Sequence, residues 1–411
     1  MKKIVLLAKL LLAVFVGFSQ NLDISGGYGS SAMICSNGDV YTWGNNKAGD
    51  APNIQRGILG RGVTGDNDPT PGIVTYFRDN SIYIKAVDAG SGGHLALDCN
   101  GNVYSWGQNN YEQTGQANPN GLGNNHVVSL PSLVPGLSNI VYVSAGNDES
   151  YVIDATGRVL TWGQNDKGQL GNGTITNSRT PIVVQGISGK VLKVEAGDET
   201  GYALTTDGRV YSWGAGAKDN TGTYGGTGML GRVAETVNAG VSSYRAGVVL
   251  KPDGTPLTDI VEISAGDVHC LAIDASGQVW GWGNNGWAGQ VGTGEGDNIF
   301  FAKKAVGLGG IGFLKATKIT AGRAHSVAVL DNGTAVGWGL NSGTSKCSYG
   351  NVTESKIPVL IPGLSNIKDV SDGDGWTFFI KADGSFQVMG GNEFGQTGTG
   401  AVNPSVCSPQ L

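Results

Sequence analysis

Apolar and polar positions alternate along short runs of this chain, and each run closes on the dipeptide Trp-Gly. Val210-Tyr211-Ser212-Trp213 is typical. Its period of two predicts a strand with Val210 and Ser212 on one face and Tyr211 and Trp213 on the other. The phrase ends in Trp43, Trp106, Trp162, Trp213, Trp282 and Trp338, with a degenerate seventh copy at Met389-Gly390, and successive copies are 63, 56, 51, 69, 56 and 51 residues apart. Such an interval holds four short strands and a variable loop but no independent domain, so each copy reads as one blade. Before each Trp-Gly stand a Val or Ile, one residue, Ala-Gly, a polar turn, an apolar strand and a Gly at 38, 101, 157, 208, 277, 333 or 384. A hairpin turn that needs positive φ accounts for that last Gly. After Trp-Gly come polar pairs, a Gly-Gln-x-Gly loop as in residues 168–171 and 395–398, and a fourth strand opened by Pro131, Pro181, Pro358 or Pro404. Pro is tolerated at a strand start, where a missing N–H does no harm.

Seven four-stranded antiparallel sheets around one axis make an all-β, seven-bladed β-propeller, whose strand edges are short and protected. The six tryptophans are expected to fill the space between blades, a structural role. The last strand either completes the seventh blade or pairs across to the first.

Composition narrows the setting. Gly supplies 70 of 411 residues without a three-residue period, while nine Trp and thirteen Tyr argue against disorder. Lys2 and Lys3, an apolar run from Leu10 to Phe18 and small residues Gly17 and Ser19 read as a secretory signal peptide over 1–19, with the propeller over 20–411. Removal of that leader takes Lys2, Lys3 and Lys9 away, leaving 24 basic against 33 acidic residues, so the formal charge moves from −6 to −9. An exported, acidic monomer is expected, secreted, periplasmic or at the cell surface. Nucleic acid is set aside as a partner, since its binding rests on Lys and Arg, and no membrane span is expected. Five cysteines show no metal spacing; a disulfide between Cys35 and Cys407 would close the ring.

The string Ala-Gly-x-x-His, Asp-x-x-Gly-x-Val-x-x-Trp-Gly-x-Asn and Gly-Gln-Leu-Gly resembles the regulator of chromosome condensation repeat family over nearly all of the mature chain. The resemblance implies the seven-bladed fold. The founding eukaryotic member is a guanine-nucleotide exchange factor that also contacts nucleosomes. With a signal peptide, an acidic balance and no basic tail here, exchange is not expected. Relatives of this shape include exported bacterial proteins, one of them an inhibitor of β-lactamases that uses loops on one propeller face. The resemblance also implies that His269 and His325, three residues after the Gly of Ala-Gly, pack and hydrogen-bond.

Among candidate sites, the turns after Ala-Gly are acidic: Asp148 and Glu149, Asp198 and Glu199, Asp267, Arg323 and Asp374 are expected to converge on one face as binding residues. Their negative potential would steer a basic partner. Long insertions at about 47–70, 109–130, 215–258 and 286–313 carry aromatic residues, of which Tyr111, Tyr224 and Trp287 are the candidate contacts. Matches to GxGxxG at 226–231 and 307–312 are as frequent as this Gly content predicts by chance, and neither joins a strand to a helix. No catalytic residue, metal or cofactor is expected. The leading reading is therefore a binding propeller for a protein partner. The alternative is a polysaccharide-binding or polysaccharide-cleaving propeller with axial carboxylates such as Glu149 and Glu199.

Overall fold

The computed structural model describes residues 24–48, 55–62, 65–215, 228–232, 242–342, 349, 353–402 and 405–410. The leader, Tyr224, Cys347 and Pro404 lie outside them. Seven four-stranded sheets follow one another, each an antiparallel meander running outward from the axis. The innermost strands are Ile24–Gly26, Ile84–Ala89, Ile140–Ala145, Val191–Ala196, Ile260–Ala265, Lys318–Ala321 and Ile367–Asp372 in blades 1 to 7. Blade 1 is built wholly from the N-terminal side, and the C-terminal strand Ser405–Gln410 is the outermost strand of blade 7. The ring therefore closes without strand exchange.

Local chemistry explains each blade. The hairpin Gly between the second and third strands has φ of 75–86° in all seven copies, as the repeat predicts. The Gly of Trp-Gly is also left-handed, from 94° at Gly339 to 126° at Gly390, and beside it the third and outer strands slip register. That slip is a bulge that only Gly enters without strain. The outer strands Val127–Leu133, Ser178–Val183 and Glu354–Leu360 begin three or four residues before Pro131, Pro181 and Pro358. Pro thus sits inside an edge strand rather than at its start, because an outermost strand has one side whose N–H groups need no partner.

The core is seven layers, one at each joint between neighbouring blades. Trp213, for example, packs with Tyr142, Tyr151, Ile153 and Val159 between blades 3 and 4, while Val210 on the opposite face joins the next layer. All six repeat tryptophans are fully buried this way. At the sixth joint Met389 stands in for the seventh, supplemented by buried Tyr349. A polar latch accompanies most of these rings: Trp162, Trp213 and Trp338 Nε1 donate to the carbonyls of Gln113, Gln169 and Gln290 of the preceding blade at 2.8 Å, and Trp282 Nε1 to that of Met229 at 3.1 Å, while Trp106 Nε1 meets no acceptor among the described residues. Trp43 does the same to Gln396 of blade 7 at 2.8 Å, so the closing joint is held like those of Trp162, Trp213 and Trp338. Cys35, Cys99 and Cys270 are free thiols, and Cys407 is disulfide-bonded. The expected Cys35–Cys407 bridge is therefore not made: the Trp43 latch and the layer of Ile24, Trp376, Phe378 and Val388 join the ends instead.

Candidate functional site: the axial mouth and its loops

Alternate residues of the inner strands point at the axis and stack there in three tiers. The middle tier is the variable residue before Ala-Gly: Ser25, Asp88, Ser144, Glu195, Ser264, Thr320 and Ser371, all lining an axial cavity of about 180 Å³. Five of them accept a backbone N–H from the next blade. Ala89 donates to Ser25 Oγ at 3.1 Å, Ala145 to Asp88 Oδ2 at 2.8 Å, Ala196 to Ser144 Oγ at 3.2 Å, Ala321 to Ser264 Oγ at 3.0 Å and Asp372 to Thr320 Oγ1 at 3.1 Å. The neighbouring Gly is needed for this approach: a Cβ on Gly27 or Gly90 would stand 1.9 or 2.1 Å from the carbonyl oxygen of the next blade.

One pleat deeper, charge alternates from blade 4 to blade 7 as Lys193, Glu262, Lys318 and Asp369. Lys193 Nζ lies 3.2 Å from Glu195 Oε1, donates to Glu262 Oε1, and donates to the carbonyl of Ile263 at 2.8 Å. Lys318 Nζ lies 3.7 Å from Glu262 and 3.8 Å from Asp369. Tyr142 donates to Glu195 at 3.2 Å. Burial raises the Glu195 carboxyl against the pull of Lys193, while Lys193 and Lys318 outweigh burial at Glu262 and hold it low.

The outermost tier is the mouth, formed by the turns that follow Ala-Gly. Asp198, Asp267, Arg323 and Asp374 all line it, as the repeat register implies. Asn147 Nδ2 donates to Asp198 Oδ1 at 2.6 Å. Arg323 lies 3.9 Å from Asp267 and 3.8 Å from Asp374. Burial together with Asp374 and Asp198 pushes Asp267 up to about 8, although 38% of its side chain is reached by solvent. Burial pushes Asp374 to about 6 against Arg323, and Asp88 to about 7.

Because each blade is a meander, its first turn and the loop between its third and outer strands emerge at the same end. The acidic turns and the loops bearing Tyr111 and Trp287 consequently share one face. Gln113 ties them together, its Nε2 donating to Asp148 Oδ1 at 2.7 Å. Tyr111 is half-buried and Trp287 is 50% exposed.

Two of the expected contacts are placed elsewhere. Glu149 is 2% exposed and turns into the joint between blades 2 and 3, beside His94 and Trp106, where burial raises its carboxyl well above the usual range. Glu199 is half-buried on the second-strand side of its turn. Neither lines the axial cavity, so they are not the facing pair that a polysaccharide-cleaving site would need. The reason is position: Glu199 stands one residue and Glu149 two residues beyond the mouth column of Asp198 and Asn147, Glu149 being already the first residue of the second strand. The buried histidines bridge blades, His269 Nε2 meeting Ser326 Oγ at 2.7 Å, and burial drops His94 and His269 to about 3, so both are neutral.

Asp88, Tyr142, Lys193 and Glu262 are residues that the sequence reading does not single out as a site. The signal existed in the aligned column before Ala-Gly and the column two residues earlier, where Lys and Glu interrupt small or apolar residues.

The mouth makes stability pH-dependent. Asp267, Asp374, Asp88 and Asp148 all have raised pKa values in the folded state, the last at about 6. At these four groups the folded chain holds more protons than the unfolded chain between about pH 4 and 8; His94 and His269 act the other way below about pH 6.5 but are two against four, so stability falls as pH rises through that window. We expect thermal unfolding at a higher temperature at pH 5.5 than at pH 8.0, and a smaller difference in Asp267→Asn. A melting temperature that rises with pH would contradict this account of the mouth.

The repeat described as regulator of chromosome condensation (RCC1) repeat matches residues 100–153 and 156–204, and a second form with the same description matches 84–113, 140–169, 191–220, 260–290 and 316–343. The chain is 28% identical over 337 residues to the E3 ubiquitin-protein ligase HERC2 of Homo sapiens, covering 81% of this chain but 6% of that protein. It is 27% identical over 334 residues to the ultraviolet-B receptor UVR8 of Arabidopsis thaliana, covering 79% of this chain and 69% of the receptor. In fold it is similar to yeast RCC1 (Prp20) in its crystal structure with Kap60, with a TM-score of 0.69 at 21% identity over 85% of this chain and 80% of that one. Human WBSCR16 matches with a TM-score of 0.68 at 21% identity, covering 89% of each chain. With its Trp-Gly latches, its Ala-Gly turns and these matches from blade 2 to blade 6, the chain belongs to the regulator of chromosome condensation repeat family.

Proposed function

We propose that this propeller is an exported binding module that recognises another protein through the face carrying the axial mouth, and that it catalyses no reaction itself. The observation that carries this reading is the convergence on one face of Asp198, Asp267 and Asp374 with loops that present Trp287 and Tyr111. An acidic rim steers basic surfaces toward it, and exposed aromatic side chains supply contact area at small entropic cost. Yeast RCC1, similar in fold, is seen bound to Kap60, which supports protein as the class of partner. The leader over 1–19 would direct the chain out of the cytoplasm.

Affinity capture with cross-linking from the extracytoplasmic fraction tests the reading. A partner should be retained by the natural chain and lost from a Tyr111→Ala, Trp287→Ala variant, roughly tenfold weaker binding or more being ordinary for two aromatic anchors. It should be kept by Ile311→Ser, Phe313→Ser, which alters side chains 82% and 60% exposed at the opposite end. Equal loss from both variants, or binding only to glycans on an array, would replace the protein reading; a mature N-terminus still beginning at Met1 would remove the export.

A further inference from the structure

The axial mouth holds more acid than the chain neutralises. Six carboxylates line the cavity, Asp88, Glu195, Asp198, Asp267, Asp372 and Asp374, against two cations, Lys193 and Arg323. Lys193 is committed below to Glu195 and Glu262. Arg323 is thus the cation facing the mouth carboxylates, and it meets Asp374 and Asp267 at 3.8 and 3.9 Å, outside hydrogen-bond reach.

Two of these carboxylates are buried and unsatisfied. The Asp372 side chain, one residue on from axial Ser371 and so turned to the joint with blade 6, is 2% exposed and neither of its oxygens accepts a hydrogen bond; His325 Nε2 comes within 3.3 Å of Oδ2 without hydrogen-bond geometry. Asp374 is 7% exposed on its side chain, and its Oδ1 has no hydrogen-bond partner. A buried acceptor without a donor is costly, and Asp374, lining the mouth beside Arg323, is complementary to a donor that arrives from outside. That donor has to be cationic, to match the excess charge, and slender. The cavity, of about 180 Å³, is narrow enough to suit one extended side chain and too small for a folded segment.

We propose that the axial cavity is the seat of a single lysine or arginine side chain from the partner, inserted along the propeller axis. Its ammonium or guanidinium displaces Arg323 from Asp374 and Asp267 and donates to those two carboxylates in its place. Arg323 is a placeholder, held loosely so that a better-placed cation replaces it. This rests on the reading of the same face as a protein-binding surface.

Fluorescence anisotropy with the intact chain tests it, using labelled pentapeptides Gly-Gly-Lys-Gly-Gly and Gly-Gly-Arg-Gly-Gly, with Gly-Gly-Gln-Gly-Gly as the neutral control. At least one cationic peptide should bind roughly tenfold or more tighter than the Gln peptide, the scale of a charge-assisted hydrogen bond. Asp374→Asn should abolish most of that preference. Arg323→Gln should instead tighten the cationic peptides, an effect that a merely structural arginine would not produce. Equal binding of the Gln peptide, an unchanged preference in Asp374→Asn, or weaker binding by Arg323→Gln would overturn the proposal. Should Asp374→Asn fail to fold, Arg323→Gln decides alone, since that side chain is 38% exposed. Loss of peptide binding with protein capture intact would sink this inference and leave the binding face standing; peptide binding without a protein partner would do the reverse.

Discussion

Trp213→Ala is expected to destabilise the fold by about 3–5 kcal/mol, the range for removing a buried indole from a packed core. The ring is fully buried between blades 3 and 4, with the Tyr151 ring edge-on at 5.8 Å. Its neighbours belong to rigid strands, so the space left behind does not collapse readily. The change also removes the Nε1 latch to the carbonyl of Gln169, which Tyr151 then serves alone from 2.6 Å. Trp213→Phe keeps most of the apolar contact and should lose about 1 kcal/mol for the hydrogen bond, while Trp287→Ala, at a half-exposed site, should fall within about 0.5 kcal/mol of the natural chain. Urea unfolding of the three variants separates these cases. A Trp213→Ala loss below about 1 kcal/mol would mean that the joints are not what holds the ring together.

The second large effect lies on the axis. Lys193→Met should cost about 3 kcal/mol at neutral pH, the lower end for breaking a buried ion pair, because the lysine, Glu195 and Glu262 side chains retain 20–27% exposure. Methionine fills similar volume, so the loss comes from two carboxylates left with less countercharge. The sign with pH follows from the shifts. Glu262 is held low, so its contribution is present above its unfolded pKa and is lost as pH falls through the lower folded value. Lys193 is held well above its usual value, so its contribution is complete below that value and is lost only at strongly alkaline pH. Without Lys193 both carboxyls rise, and the variant should be weakest above about pH 5 and approach the natural chain as pH drops toward 4, where both protonate. A deficit that stays constant from pH 4 to pH 8 would show that the lysine acts through packing rather than charge.

Much of the architecture was legible because it is written in local rules. The period-two runs and the left-handed Gly residues at 38, 101 and their equivalents mark strands and turns residue by residue. The column containing Asp198, Asp267, Arg323 and Asp374 was visible for the same reason: equal positions in a repeat reach equal places. Glu149 shows where that logic stops, since two further residues along the chain carry a side chain from the mouth into a joint. Pro131 shows another limit, because an outer strand runs on past the residue that looks like its beginning.

By itself the sequence determined the number of blades, the four-strand order within each and the burial of the tryptophans, all of which follow from spacings within about 60 residues. Only the tertiary structure decided the rest: closure by the Trp43 latch instead of a Cys35 disulfide, the alternating ring of Lys193, Glu262, Lys318 and Asp369, and the unsatisfied carboxylates of Asp372 and Asp374. Each of these is assembled from single residues contributed by different blades, from about 50 to more than 350 positions apart. Such contacts have no local pattern, and their energies appear only once the ring brings them to a common axis.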